Sequence, residues 1–430
     1  MTFCQITKEE FLKHCEQVNE KSFFQSIEMA GLLSKRGYDV RYAGFKNSQS
    51  EIVISTLLFC KKMAGGLYME LNSGPLVTDD AYLEEFYQSL KNYAKREGVL
   101  ELVVKPSQTY QLFDSVGNPI SEADTQLIEK MVQVGFKHDG LQTGYPNGEP
   151  VWHYVKDLEG ITEDTLVSSF SKKGKVLSKK ANSFGLKIIR LTKDELPRFK
   201  AITETTSNRR DYTDKPLEYY QDLFDTFSDG ADFLIASLNL TTYLDLLHSQ
   251  EDKLKKIAEN LVQDLSINPK SRKKGNELRE IESQIESFEQ RKQNAEHWIN
   301  KYGTSDIDIA ASLFIYTKQE LVYLFSGSLE EFSSFYAPIV LQEFAMKKAI
   351  KKSIKFYNFL GITGLFDGSD GVLRFKQNFN GYILRKAGTF RYYPHPIKHK
   401  IIQIIKNILR LVVRKSPTGE SSHYFFFMLK

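Results

Sequence analysis

One order of elements is written twice in this chain: two strand-like segments, an amphipathic helix, then a third strand. In the first copy, Glu51–Phe59 and Gly66–Leu71 are rich in Ile, Val, Leu and Tyr, which suit a pleated surface. Gly74-Pro75 marks a turn, Leu83, Phe86, Leu90, Tyr93 and Ala94 share one face of a helix, and Val99–Val104 reads as a strand. In the second copy, Ile309–Tyr316 and Leu321–Phe325 are strands and SGSLEEFSSFYAP is a loop or short helix. Val340, Leu341, Phe344, Ala345 and Ala349 then share a helical face before a strand at Ile354–Leu360. Residue identities differ between the copies, so what repeats is a pattern. With 430 residues, 41% hydrophobic and 26% charged, the chain is long and apolar enough for more than one packed core. The expected fold class is α/β (α+β), built from two related mixed units.

The second copy is interrupted by a segment of different character. Leu247, Leu254, Ile257 and Leu261 sit near heptad spacing; after INPKSRKKGN, Leu278, Ile281, Ile285, Phe288, Ala295 and Ile299 recur at three- and four-residue steps. Two helices with facing seams and one break predict an antiparallel coiled-coil arm over 241–302, each helix about 35 Å long at ~1.5 Å per residue. Its charged sides read as a solvated surface. Its tip, with Lys270, Arg272, Lys273 and Lys274 and no acid among them, reads as a polyanion site. The first domain is expected over 1–150, completed by part of 380–400, and the second over 151–240 and 303–380. A basic amphipathic segment covers 397–430, with Ile401, Ile404, Ile405, Ile408, Leu411 and Val412 on one face. Two readings of it stand open: a helix lying on an anionic membrane, or a terminal helix packed on the core.

The chain excludes much. Net charge is only +4, so any polyanion binding must come from local clusters. Three Cys without a CxxC pair rule out a disulfide scaffold and a Cys-based zinc site. His138 and His153 read as structural, and no metal site is expected. The polar start MTFCQITKEEF is unlike a signal peptide and no run of 18 apolar residues occurs, so a cytoplasmic protein is expected. No GxxxxGK[ST], HExxH, GxSxG or GxGxxG signature is present. The strand-strand-helix-strand unit is similar to the acetyltransferase fold, but its [QR]xxGx[GA] pyrophosphate loop is missing, which argues against acyl-CoA. No cofactor is expected. Cations do crowd certain places: Lys35-Arg36, the lysines of SFSKKGKVLSKKA (Lys172, Lys173, Lys175, Lys179 and Lys180), Arg209, Arg210 and Lys215 in TSNRRDYTDKPLEYY, and Lys376.

FFQSIEMAGLLSKRGY, LNSGPL, WHYVKDLEG followed by SFSKKGKVLSKKANSFG, TTSNRRDYTDKPLEYY, YLFSGS and FDG…RFKQNF stand in the order seen in the FemABX family of non-ribosomal peptidyl transferases. The resemblance runs to about residue 395 and is strongest to the streptococcal MurM/MurN branch, on the MurN side. It implies two acetyltransferase-like (GNAT-like) domains with an inserted arm like that of seryl-tRNA synthetase. It also implies transfer of an amino acid from aminoacyl-tRNA to the stem-peptide branch of lipid II: Ala as the second branch residue, or alternatively Ser or Ala as the first. Lys376, at the family's FKxxF position, is implied near the reaction centre, where an ammonium would stabilise the oxyanion. Lys35, Lys215 and Tyr219 match the family's phosphate-gripping positions, with Arg209 beside them as an acceptor-binding candidate. The tip residues Lys270, Arg272, Lys273 and Lys274 are the candidates for tRNA. Where several members have Asp before Pro, this chain has Lys105-Pro106, so the general base is unassigned. The reading from another class is a non-catalytic RNA- or membrane-binding scaffold, which would not need the deep acceptor groove that a transferase predicts between its lobes.

Overall fold

The structure is a computed structural model and describes residues 1–414. Two sheets carry the fold, each assembled from distant parts of the chain. The first has the order Thr2–Gln5, Asp39–Lys46, Ile52–Met63, Gly66–Gly74, Val99–Pro106, Phe390–Tyr392, Lys137–His138, with Leu76–Val77 paired to Ile52–Met63. The second runs Lys187–Arg190, Ala231–Leu238, Ile307–Tyr316, Glu320–Ser328, Phe356–Ile362, Trp152–Asp157, Tyr382–Lys386, Thr109–Phe113. Each sheet holds one parallel step, Gly66–Gly74 beside Val99–Pro106 and Glu320–Ser328 beside Phe356–Ile362. Parallel neighbours need a crossover longer than a tight turn. Helices Leu83–Arg96 and Ala337–Lys351 supply it. The duplicated sequence order is thus a duplicated topology.

The two parallel steps differ in a way that creates a site. In the first sheet, pairing runs from Leu67 opposite Val99 to Gly74 opposite Pro106. In the second it holds only from Glu320 opposite Phe356 to Val322 opposite Asn358. Beyond that point the strands part. The register of Phe356–Ile362 against Trp152–Asp157 slips between Asn358 and Gly361, and Leu360 adopts a positive φ of 58°. Such a bulge bends the strand and takes backbone groups out of the ladder.

Helix Leu83–Arg96 covers the first sheet through Phe86 and Leu90, and helix Ala337–Lys351 covers the second through Leu341 and Ala345. Phe344, placed on that second face by its spacing, is exposed instead, while Ile339 and Met346 are buried. A third cluster is common to both lobes, joining Phe11, Phe23, Met29 and Leu57 to Phe199, Tyr220, Phe233 and Leu313. At ~1.5–3 kcal/mol for each fully buried large side chain, this shared core holds the lobes as one unit.

One strand within 1–150 departs from the expected division: Thr109–Phe113 pairs with Tyr382–Lys386 in the second sheet. Phe390–Tyr392 returns to pair with Val99–Pro106 in the first, in the stretch 380–400 from which completion of that lobe is expected. The partner of so short a strand is set by distant packing, which no local pattern records.

The arm consists of helices Leu240–Ile267 and Arg272–Tyr302, of 28 and 31 residues. They are about 42 and 46 Å long at ~1.5 Å per residue, longer than the expected 35 Å because the break shrinks to 268–271 and Arg272–Gly275 is already helical. Tyr243, Leu247, Ala295 and Trp298 root the arm among Phe184, Phe332 and Phe335. In the terminal helix Pro396–Arg414, Ile397, Ile401, Ile404, Ile405 and Ile408 are exposed. The other side of the helix meets the body, with Ile402 against the turn at Gly65, His399 beside Tyr393 and contacts to Val99–Pro106. The isoleucine row itself is not packed on the core over 397–408. The remainder of that expectation, from 415 to the apolar YFFFMLK end, lies outside the described residues. Among the described residues no helix is long and apolar enough to cross a membrane.

Candidate active site

Lys376 ends the short helix Gly371–Lys376. Asp370 starts that helix, accepting from the amides of Val372 (2.8 Å) and Leu373 (3.0 Å), while its other oxygen accepts from the amide and hydroxyl of Thr363. The FDGSDG turn therefore fixes where Lys376 emerges. The side chain is 3% exposed, and its Nζ donates to the carbonyls of Leu360 (3.1 Å) and Gly361 (2.6 Å), at the parting of the strands. Burial pulls its pKa down to about 7, with Asp370 opposing. The segment after it is pinned on two sides. Asn378 O accepts from the amide (3.1 Å) and hydroxyl (3.2 Å) of Ser171, and Asn380 O accepts from Lys156 Nζ at 3.2 Å.

Gly361 is the hub of this region. Its carbonyl also accepts from the Tyr145 hydroxyl at 3.3 Å, and a Cβ at Gly361 would collide with Pro150 and Tyr145. Burial pushes the Tyr145 hydroxyl up to about 12, with Asp370 adding to this and Arg210 opposing. The loop carrying Tyr145 is tied down by Gly144 N to Thr363 O (2.7 Å) and Trp152 Nε1 to Gln142 O (3.0 Å). Beside Tyr145 lies an open groove of about 570 Å³ lined by Leu141, Gln142, Thr143, Tyr145 and Pro146. It is open and lined by one loop, and is not the deep groove expected between the lobes.

Next to the loop, where the Asp-Pro pattern is broken, Lys105 Nζ sits 2.7 Å from Glu70 and 2.8 Å from Glu149. Two carboxylates thus converge where sequence comparison suggested none. His153 is buried with Nε2 at 3.3 Å from Pro150 O, and His138 Nε2 is 2.8 Å from Ala387 O. Among the described residues no cluster of His, Cys, Asp or Glu could hold a metal ion.

The acceptor-binding candidates divide. Lys215 Nζ and the Arg36 guanidinium lie over the Tyr219 ring, at 5.6 and 4.9 Å from its centroid. Among the described residues neither has a carboxylate within ion-pair distance. Tyr219 also stands edge-on to Phe325, and both pack against the apolar cluster shared by the two lobes. Lys35 points elsewhere, 3.3 Å from Asp225 and 3.9 Å from Asp222. Lys35 is the last residue of helix Ile27–Lys35 and Arg36 is its C-cap, and it is Arg36 that lies over Tyr219. Arg209 is 3.4 Å from Glu330.

At the arm tip, Lys270, Arg272 and Lys273 are exposed, but Lys274 pairs with Asp264 at 2.7 Å. The hairpin brings in an acid that is absent from the tip's own sequence. Sequence reading also missed Arg36, Tyr145, Glu70 and Glu149 as site residues. Arg36 was visible in its dipeptide, whereas the others lie in segments whose pattern signals only strand or loop.

Two lobes of duplicated β-strand, helix and β-strand topology, with a buried lysine where one pair of parallel strands parts, define a tandem α/β fold. The FemAB family matches residues 6–407, and the chain belongs to that family. Aminoacyltransferase FemA of Staphylococcus aureus strain bovine RF122 / ET3-1 is 26% identical over 401 residues, covering 91% of this chain and 94% of FemA, and FemA of strain N315 gives the same figures. A crystal structure of FemX superposes with a TM-score of 0.70 at 19% identity, covering 93% of this chain and all of that one, a likeness of fold.

Proposed function

We propose that this chain is an aminoacyltransferase that takes an amino acid from aminoacyl-tRNA and joins it to an amine on the peptide of lipid II. In its finer form, it adds Ala as the second residue of the branch. The observation that carries the reading is the buried Lys376, pinned where the strands part. The donor ester is already activated, so amide formation needs no ATP. The acceptor nitrogen attacks the ester carbonyl, the bond to the ribose oxygen breaks, and the amine proton leaves as the ribose hydroxyl regains one. The Lys376 ammonium stabilises the developing oxyanion. In this reading Glu149, half exposed and paired with Lys105, is the carboxylate that receives the proton of the acceptor ammonium. Family membership favours this over a scaffold. The Ala donor and the second position rest on the sequence resemblance.

The test is to incubate the protein with alanyl- or seryl-tRNA and lipid II that is bare or carries one branch residue. Mass spectrometry should show a one-residue extension, largest with alanyl-tRNA and the pre-extended acceptor. No extension of either acceptor by any charged tRNA defeats the proposal.

Arg36, Lys215 and Tyr219 form the acceptor's phosphate site in this reading. Replacing Arg36 and Lys215 by Gln should raise KM for lipid II by about tenfold or more with kcat nearly unchanged, the cost of losing charged hydrogen bonds. Equal losses in kcat and kcat/KM would instead put the pair at the reacting atoms.

The terminal helix is the proposed contact with the inner membrane face. Lys398, Lys400 and Lys406 accompany its exposed isoleucines, and Pro396–Arg414 contains no acid. Changing Ile401, Ile404, Ile405 and Ile408 to Ser should weaken binding to phosphatidylglycerol vesicles by at least about tenfold. Unchanged vesicle binding rejects the contact.

A further inference from the structure

Helix Lys172–Asn182 carries Lys172, Lys173, Lys175, Lys179 and Lys180 within 11 residues, with no acid. All five are exposed, and among the described residues none has a carboxylate within ion-pair distance. Lys172, Lys173 and Lys175 crowd the N-terminal end, where the helix dipole is positive and cations are disfavoured. Lys172–Lys175 and Lys175–Lys179 are like-charge neighbours at helical spacing, which weakens the helix further. The opposite face is locked. Gly174 lies against the backbone of Asn378, Ser178 donates to Glu343 at 2.7 Å, and Asn182 Nδ2 donates to the same oxygen at 2.9 Å. The fold thus holds an unneutralised row of lysines toward solvent on a fixed support.

The ends of this helix decide what the row serves. At its start, Ser171 caps the helix and holds Asn378, two residues after Lys376. Just past its end, Phe184 packs on Tyr243 with centroids 6.0 Å apart, and Arg291 stacks over Phe184 at 5.4 Å, both at the root of the arm. The helix therefore spans from the arm root to the segment bearing Lys376.

We propose that the outer face of helix Lys172–Asn182 is a phosphodiester-binding track that carries the acceptor end of tRNA from the arm to Lys376. The proposal rests on the aminoacyl-tRNA reading above. Cations spread along a whole helix suit a repeating polyanion better than a single diphosphate, whose compact site is supplied by Arg36 and Lys215. A membrane is disfavoured because Val176 is the only exposed large apolar side chain here, unlike the isoleucine row of the terminal helix.

The experiment measures binding of an acceptor-stem RNA hairpin ending in CCA, as a function of salt, by wild type and two full-length variants. One changes all five lysines to Gln and the other changes them to Arg. Anionic vesicles and lipid II transfer are assayed in parallel. The Gln variant should bind RNA at least about tenfold more weakly at low salt, and the slope of log K against log salt should shrink by roughly 2 to 4, while the Arg variant stays near wild type. The Arg variant and an unchanged circular dichroism spectrum guard against misfolding. Unchanged RNA affinity and slope in the Gln variant, no RNA binding by wild type, or a loss confined to vesicles each overturns the track. Wild type that binds the hairpin through these lysines yet transfers nothing from any charged tRNA keeps the track and removes the transferase reading.

Discussion

Lys376→Met should reduce single-turnover transfer by about 10²- to 10³-fold, the usual effect of removing one oxyanion donor, with lipid II binding nearly intact. The pH dependence makes this specific. Burial brings the Lys376 pKa to about 7, so its charge is lost as pH rises through that value. A working ammonium then gives an alkaline limb near pH 7, set against the gain from deprotonating the acceptor amine. Lys376→Arg, charged at every accessible pH, should abolish that limb even where its rate is low. Stability tests the lowered pKa independently of the rate. A lysine whose pKa falls from 10.5 to about 7 on folding penalises the folded state when protonated. That penalty is absent above pH 10.5, grows as pH falls to 7 and is full below it. The melting temperature of Lys376→Met relative to wild type should therefore rise as pH falls across that window. The loss of the donors to Leu360 and Gly361 subtracts a roughly constant amount. An unchanged rate, or an alkaline limb that persists in the Arg variant, removes Lys376 from the chemistry.

What the sequence disclosed follows the range of the forces involved. The strand and helix order of each lobe rests on periodicities within ten or fifteen residues, so Leu83–Arg96 and Ala337–Lys351 were readable. The arm was readable for the same reason, and the acid at its tip was not, because Lys274 finds Asp264 only once the hairpin closes. Thr109–Phe113 belongs to the other sheet through a partner at Tyr382–Lys386, which local pattern does not reveal. Lys376 was singled out by resemblance, while its hydrogen-bond partners were hidden. Those partners are main-chain carbonyls freed by a bulge at Leu360, and backbone groups leave no signature in side-chain identity. Lys35 and Arg36 show the finest limit, since one step along the chain, from the last helical residue to its cap, decides which cation meets Asp225 and which meets Tyr219.

Gly174→Ala should damage catalysis from a position that touches neither substrate in the proposed reaction. A Cβ there would fall on the carbonyl and Cα of Asn378, and backbone cannot yield as a flexible side chain does. Ala is otherwise the better helix former and would stabilise an exposed helix by up to about 1 kcal/mol. The two effects are opposed, and the clash should win, for a net cost of about 1–3 kcal/mol typical of overpacking. Relief requires the helix and Gln377–Asn380 to separate. Ser171 N and Oγ hold Asn378 O and Lys156 holds Asn380 O, so the strain passes to Lys376. A displacement of the order of 1 Å at a reacting group costs up to ~10²-fold, and kcat should fall by that order with little change in KM for lipid II. Ser171→Ala gives the graded comparison: it removes the cap and one bond to Asn378 without adding an atom, and should lower kcat several-fold. Because Lys376 leaves its carbonyl partners and becomes better hydrated, the alkaline limb of Gly174→Ala should move above pH 7. A variant that loses stability while keeping both kcat and the position of that limb would show that the glycine serves helix packing alone.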